Sequence, residues 1–199
     1  MEIDYTLAVA HLRAADPVLA PLIDAVGPCL LAPSGHSFHT LADAIVSQQI
    51  SIQAAAKIMA RLEAALGGAV LPEAVLAADE ETLRGAGLSG QKARYLRDLA
   101  AYAASGGFDA LPGLDDEAAV AALTAVKGVG RWTAEIYLMF ALGRLDVLPA
   151  DDLGLRYAAQ QFYGYAEAPP GKVVRALGER WRPYRSVAAW YLWRARRLT

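Results

Sequence analysis

The chain has a single cysteine, Cys29, in 199 residues. It can therefore form neither an internal disulfide nor a multi-cysteine metal or iron–sulfur site, and a reducing, cytoplasmic setting is expected. Long apolar runs are missing as well. None reaches the roughly 18–20 residues that span a bilayer. Yet apolar residues make up 55% of the chain, too many for a disordered one. The opening segment, MEIDYTLAVAHLRAAD, carries acids and helical periodicity, so no signal peptide is expected there. The three histidines, His11, His36 and His39, are too scattered for a metal or catalytic cluster and are expected at the surface or in packing. Also absent are β-type alternation beyond a few residues, low-complexity linkers and internal repeats.

What remains reads as helix almost throughout, and the class expected is all-α. Apolar spacing predicts helices over Asp4–Ala15 and from Pro17 to Ala25, then a loop at LAPSGHS. Ser37 is placed to cap a helix from Phe38 to about Gln49, and Ser51 another to Leu66, ended by Gly67-Gly68. A short helix follows Pro72. Asp79 and Asp115 are placed as caps, the latter for a helix ending near Val126. GLSGQKARYLRDLAAYAA is a turn and a helix up to Gly106-Gly107. Arg131–Leu142, the segment after Asp152, PPGKVVRALGERW and SVAAWYLWRARR complete the set.

The net charge of −2 does not announce a nucleic-acid binder, but the charge is uneven. Residues 171–199 hold eight basic side chains and one acid, Glu179, while the other 170 residues hold 11 basic and 20 acidic groups. A local positive surface binds phosphates whatever the total; a solvated helix face is the plainer reading.

Two short stretches carry chemistry. In KGVGRWTA, Gly128 and Gly130 join two helical patterns. Glycines there permit a tight turn and remove side chains that would keep an anion away. The turn amides and the following helix N-terminus present donors to a phosphate. Lys127 and Arg131 add cations and Thr133 a hydroxyl. Such a contact positions a protein on nucleic acid without reading sequence, and glycines in an ordinary helical corner are the alternative. The second stretch, VLPADDLGLR, sets Asp151 and Asp152 before a helix. One acid there caps the helix, which leaves the other for a cleft.

The full pattern Leu123-x-x-Val126-x-Gly128-Val129-Gly130-x-x-Thr133-Ala134 resembles the helix-hairpin-helix motif of DNA-binding proteins. Followed at this distance by a proline-containing loop and an aspartate, it resembles the helix-hairpin-helix DNA glycosylase superfamily. The resemblance implies a two-lobed helical bundle with the active-site cleft between lobes, one lobe at about 35–115 and the other at about 1–34 plus 116–199. It puts the catalytic carboxylate on Asp152, with Asp151 as the nearest alternative. A carboxylate suits the reaction, because a breaking N-glycosidic bond leaves an oxocarbenium-like sugar and the attacking water needs a base.

Particular positions select the branch. Members that also cut the strand carry a lysine nucleophile where this chain has Trp132, and tryptophan cannot form a Schiff base. A monofunctional enzyme without lyase activity is expected. The iron–sulfur branches need four C-terminal cysteines, which are not here. With FHTLADAIVSQQISIQAAAKI, GRWTAEIY and RWRPYRSVAAWYLWRA, the chain is similar to the 3-methyladenine DNA glycosylase II (AlkA-like) branch, in a compact form without the N-terminal β-rich domain. That likeness implies Gln49, with Gln48 beside it, as the side chain inserted into the duplex when a base is flipped out. It implies an aromatic pocket for electron-deficient bases formed by Trp132 and Trp193, with Ile136 matching a third wall and Tyr137 next to it. Trp181, Tyr184, Trp190 and Tyr191 are read as core. Arg185-Ser186 is expected to support Asp152 or a phosphate.

No cofactor is expected to be required and no iron–sulfur cluster, though the likeness implies Na+ or K+ held by the carbonyls of Thr124, Val126 and Val129. The expected partner is double-stranded DNA containing a damaged base, acted on at the nucleoid by a monomer, with no membrane involved. The expected substrates are 3-methyladenine and 7-methylguanine, with 1-methyladenine and 3-methylcytosine as further ones. Two readings stay open beside this: a non-catalytic helix-hairpin-helix DNA-binding module, and a glycosylase for deaminated or mismatched bases.

Overall fold

The structure, a computed structural model, describes residues 4–35 and 37–198, without the side chains of Ser37 and Ile52. His36 and the capping role expected of Ser37 lie outside the described residues. Thirteen α-helices and two short 3-10 turns follow one another, with no strand among the described residues. The chain forms two compact units, Met1–Pro33 with Leu138–Thr199, and Ser34–Tyr137. The second boundary falls at 137/138 rather than near 115, so the glycine turn belongs to the internal unit.

The terminal unit begins with α1 (Thr6–Ala15) and α2 (Leu19–Val26). The internal unit holds α3 (Ser37–Ser47), α4 (Ile52–Ala65), α5 (Pro72–Ala77), α6 (Glu80–Gly85), α7 (Gly90–Ala104), α8 (Gly107–Ala110) and α9 (Asp116–Thr124). α10 (Arg131–Phe140) begins in it, and α11 (Leu153–Tyr163), α12 (Gly171–Gly178) and α13 (Arg185–Arg196) complete the terminal unit. Side-chain caps fix several starts. Ser51, Asp79, Ser89 and Asp115 accept from the amides of Ala54, Thr82, Lys92 and Ala118 at 3.2, 2.7, 3.2 and 2.8 Å. Each satisfies a donor that the first helical turn leaves without a partner.

In the internal unit α7 is the axis. It lies against α3, α5 and α6, and buries Ala93, Leu96, Leu99 and Ala100. In the terminal unit that place belongs to α13, packed on α2 and α11. Val187, Ala188, Ala189, Trp190, Tyr191 and Leu192 are buried in sequence, as in a helix covered on most sides. Trp181 is buried as well. Ser186 and one carboxylate are the fully buried polar side chains of this unit among the described residues. The Asp16 carboxylate is fully buried and accepts from the Val18 amide at 2.9 Å, Tyr163 Oη at 2.8 Å and Trp181 Nε1 at 2.7 Å. A buried carboxylate is tolerable only with its oxygens satisfied in this way. Burial, first, and then the Asp16 charge push the Tyr163 phenol well above its ordinary value, so it stays a donor.

Candidate active site

The glycine turn is built in the internal unit. α9 hands over through bonds from the Val126 amide to Leu123 O and from the Val129 amide to Val126 O, both 3.1 Å. The Ala134 amide reaches Gly130 O at 3.0 Å and opens α10. The two glycines differ in purpose. Gly128 has φ +88°, and a Cβ there would stand 2.4 Å from the Tyr95 ring. It is glycine for the fold. Gly130 has an ordinary φ, and its Cβ would meet nothing within 4 Å. It is exposed, beside the amides at the start of α10 that have no acceptor within the helix. A side chain is missing where an anion would approach.

The cations flanking this turn are not equivalent. Lys127 is 78% exposed and only 3.8 Å from Asp98 at its nearest. Arg131 is committed, with Nε on Glu135 Oε1 at 2.9 Å and its two terminal nitrogens on Glu117. Glu135 is buried, so Arg131 is its counter-charge. The structure thus sets Arg131 in an ion-pair network instead of presenting it to a phosphate. Thr133 is buried too, and its hydroxyl is not displayed on the surface. Trp132, the second residue of α10, is half exposed.

Between α3 and α4 the chain reverses at Gln48–Ile50. Gln49 has φ 61° and is exposed. The Gln48 side chain is spent inside the unit, donating from Nε2 to Gly128 O at 2.8 Å. Of the two glutamines, only Gln49 is displayed.

The carboxylates are in the terminal unit. Asp151 pairs with Arg175 at 2.7 Å. Asp152 is half-buried and caps α11, with Oδ1 accepting the Leu155 amide at 2.7 Å. The same oxygen accepts the indole N–H of Trp193 at 2.8 Å. Phe140 lies against Trp193, ring centroids 6.1 Å apart and planes 27° off parallel. Gly154 allows this closeness, since a Cβ there would be 3.1 Å from Asp152 Oδ1 and 3.5 Å from Trp193. The unit therefore sets one carboxylate, held by two donors on one oxygen, beside a pair of stacked aromatic rings.

Arg185 and Ser186 do not reach Asp152. Arg185 Nε binds Asp146 Oδ1 at 2.8 Å, and Ser186 Oγ donates to Val147 O at 3.0 Å and accepts from the Val147 amide at 2.9 Å. They fasten the loop that leads to Asp152, so their support is indirect. Tyr137 is not a pocket wall either. It is fully buried and stacks on Phe108, with centroids 5.8 Å apart. Ile136, one residue earlier, is half-buried. Phe140 was missed from the sequence, although its spacing of four from Ile136 and eight from Trp132 is the available signal.

The family model for base excision DNA repair proteins of the HhH-GPD superfamily matches residues 42–183. The chain is 34% identical to the alkylbase DNA glycosidase-like protein mag2 of Schizosaccharomyces pombe, across 98% of this chain and 95% of that one. Among solved structures it superposes on a DNA-3-methyladenine glycosidase from Bacillus halodurans with a TM-score of 0.88 and 39% identity, covering 98% of this chain and 92% of that one. It also superposes on the 3-methyladenine DNA glycosylase Mag1 of Schizosaccharomyces pombe, in complex with abasic DNA, with a TM-score of 0.82 and 33% identity over 94% and 95% of the two chains. This chain belongs to the HhH-GPD superfamily of base excision DNA repair proteins.

Proposed function

We propose that this protein is a monofunctional DNA glycosylase that releases alkylated bases, 3-methyladenine and 7-methylguanine first, with 1-methyladenine and 3-methylcytosine as further substrates. The observation that carries the reading is Asp152, a carboxylate fixed through Oδ1 by Leu155 and Trp193 beside the Trp193–Phe140 pair. The names of its relatives support the same chemistry.

The amides of Gly130 and Arg131 at the start of α10 and the Lys127 ammonium hold one strand by its phosphates. Gln49 enters the stack as the damaged base leaves it. The extruded base, cationic when methylated, stacks on aromatic faces, which attract positive charge; in the terminal unit Trp193 and Phe140 supply them. The C1′–N bond breaks and its electron pair leaves with the base, neutralising the alkylated ring. The Asp152 carboxylate stabilises the positive sugar and takes the proton of the water whose oxygen bonds C1′. Trp132 offers no amine, so no Schiff base forms and the strand stays intact.

A monovalent cation fits the hairpin by donor chemistry. The carbonyls of Thr124, Val126 and Val129 are neutral oxygens suited to Na+ or K+, and Val126 O, which accepts the Val129 amide, keeps a second lone pair. Bound there, it would add positive charge near a phosphate. The working form is taken to be a monomer on DNA in the cytoplasm.

The test is a release screen. Duplexes carrying alkylated, oxidised or deaminated bases are incubated with the protein, and free base and strand cleavage are measured separately. Release of methylated purines without cleavage, and without a borohydride-trapped adduct, is expected. Salt-dependent duplex binding with no release from any lesion would make the protein a binding module. Release confined to uracil or mismatched thymine would overturn the alkylation reading alone.

A further inference from the structure

The last turn of α3 leaves carbonyls without helical partners, as every helix C-terminus does. Here a lysine takes them. Lys92 sits in the first turn of α7, and its Nζ donates to Val46 O at 2.6 Å and to Gln48 O at 2.7 Å. An ammonium on carbonyls makes charge-assisted bonds and complements the negative end of the α3 dipole. Burial lowers the Lys92 pKa from its ordinary value. The same turn is tied a second time by the Gln48 amide on Gly128 O at 2.8 Å. Ser51 closes its far side by capping α4 at 3.2 Å. Between these fastenings stands Gln49, exposed and in the left-handed region that side chains rarely adopt. Left to itself such a turn would relax toward commoner angles. All of these residues belong to the internal unit.

A side chain that replaces a base in the stack must be pressed in from a base that does not yield. We propose that Lys92 is a positioning residue which, with Gln48, locks the Gln49 turn to the glycine turn, so that insertion into the duplex and grip on the backbone act as one body. The proposal rests on the glycosylase reading for what Gln49 does, but it concerns insertion and not bond breaking. Lys92 touches neither the base nor the sugar in this arrangement. Its effect is confined to substrates in which a base must be displaced.

The experiment compares wild type, Lys92→Met and Lys92→Arg, each shown folded by circular dichroism. Single-turnover release is measured from a duplex with 7-methylguanine opposite cytosine and from the same strand opposite an abasic analogue, where no pair has to be broken. A second duplex carries 2-aminopurine next to the lesion and reports unstacking by fluorescence, without base release. For Lys92→Met the ratio of unpaired to paired rates rises at least tenfold, the fluorescence rise seen with wild type is lost, and duplex affinity changes less than threefold. Lys92→Arg, which keeps two donors and the charge, recovers most of both signals. Equal loss on both substrates, or an undiminished fluorescence rise in Lys92→Met, overturns the proposal. If wild type raises fluorescence yet releases no base, the glycosylase reading falls and the fluorescence of Lys92→Met alone decides the positioning role. If wild type does neither, both fall.

Discussion

Replacing Asp152 by asparagine isolates its charge from its structural work. Both bonds described above fall on one oxygen, Oδ1. An asparagine oxygen in the same place still accepts the Leu155 amide and the Trp193 indole N–H. Asparagine and aspartate rank equally as N-caps, so the stability change is under about 0.5 kcal/mol, or roughly 1–2 °C for a chain of this size. The carboxylate charge is gone. Removing one preorganised electrostatic group costs about 3–4 kcal/mol of transition-state stabilisation, a rate loss of ~10²–10³. Asp152→Ala behaves differently. It loses the cap on the Leu155 amide, about 1 kcal/mol, and strands the Trp193 indole N–H, about 1–3 kcal/mol more, so it should melt about 5–15 °C lower. Base release from methylated duplex under single turnover, with melting curves of the same samples, reads both effects. Asp152→Asn retaining release within about threefold of wild type would refute the assignment, whatever its stability. A large fall in melting temperature for Asp152→Asn would refute the claim that Oδ1 carries the structural bonds.

The two glycines of the hairpin should separate. Gly128→Ala, at φ +88° and against Tyr95, loses at least about 1–2 kcal/mol in denaturant titration. Gly130→Ala keeps wild-type stability and loses about tenfold in duplex affinity, the value of one phosphate hydrogen bond; equal behaviour of the pair would contradict their geometry. Lys127→Met should lower the slope of log affinity against log salt by about 1, while Arg131→Met, removing a group already paired with Glu117 and Glu135, leaves the slope unchanged. Burial pushes the Cys29 thiol from an ordinary 9.0 up to about 11, against a smaller lowering by its Leu31 backbone bond. At pH 8 its thiolate fraction, and so its reaction with a disulfide reagent, is about a hundredfold below that of an unfolded control. The raised value favours the native state below about pH 9, and that contribution disappears as pH climbs through about 11.

Helices were legible where periodicity and caps agreed, as at Ser51, Asp79 and Asp115, because capping depends on a local side chain and an amide three residues on. The four-residue α8 has too little length for periodicity to register. On α10 the sequence could not say which aromatic faces inward, since that is set by what packs on it. Tyr137 was expected beside a pocket and is instead core against Phe108, while Phe140 is the ring that meets Trp193. Arg131 read as a phosphate ligand although Glu135 stands four residues on, because spacing alone does not tell that Glu135 is buried and needs it, and the second partner, Glu117, lies 14 residues away. Lys92 was invisible for a deeper reason. Its partners are main-chain carbonyls, which every residue has, so nothing in their side chains marks them.

The Asp16 carboxylate has a consequence for how this chain is made. Its partner Trp181 lies 165 residues downstream. At about 5–20 residues per second, synthesis takes roughly 10–30 s to bring that partner out. Throughout that interval the apolar faces of α1 and α2, with Leu12, Leu19 and Ile23, lack the helix that buries them, α13. The segment from Ser34 to Tyr137 is complete long before. Helices α1 and α2 thus wait longest for the helix that completes their packing. Chaperone capture during translation should fall on those first helices, and a ribosome stalled before Trp181 should present them open to protease.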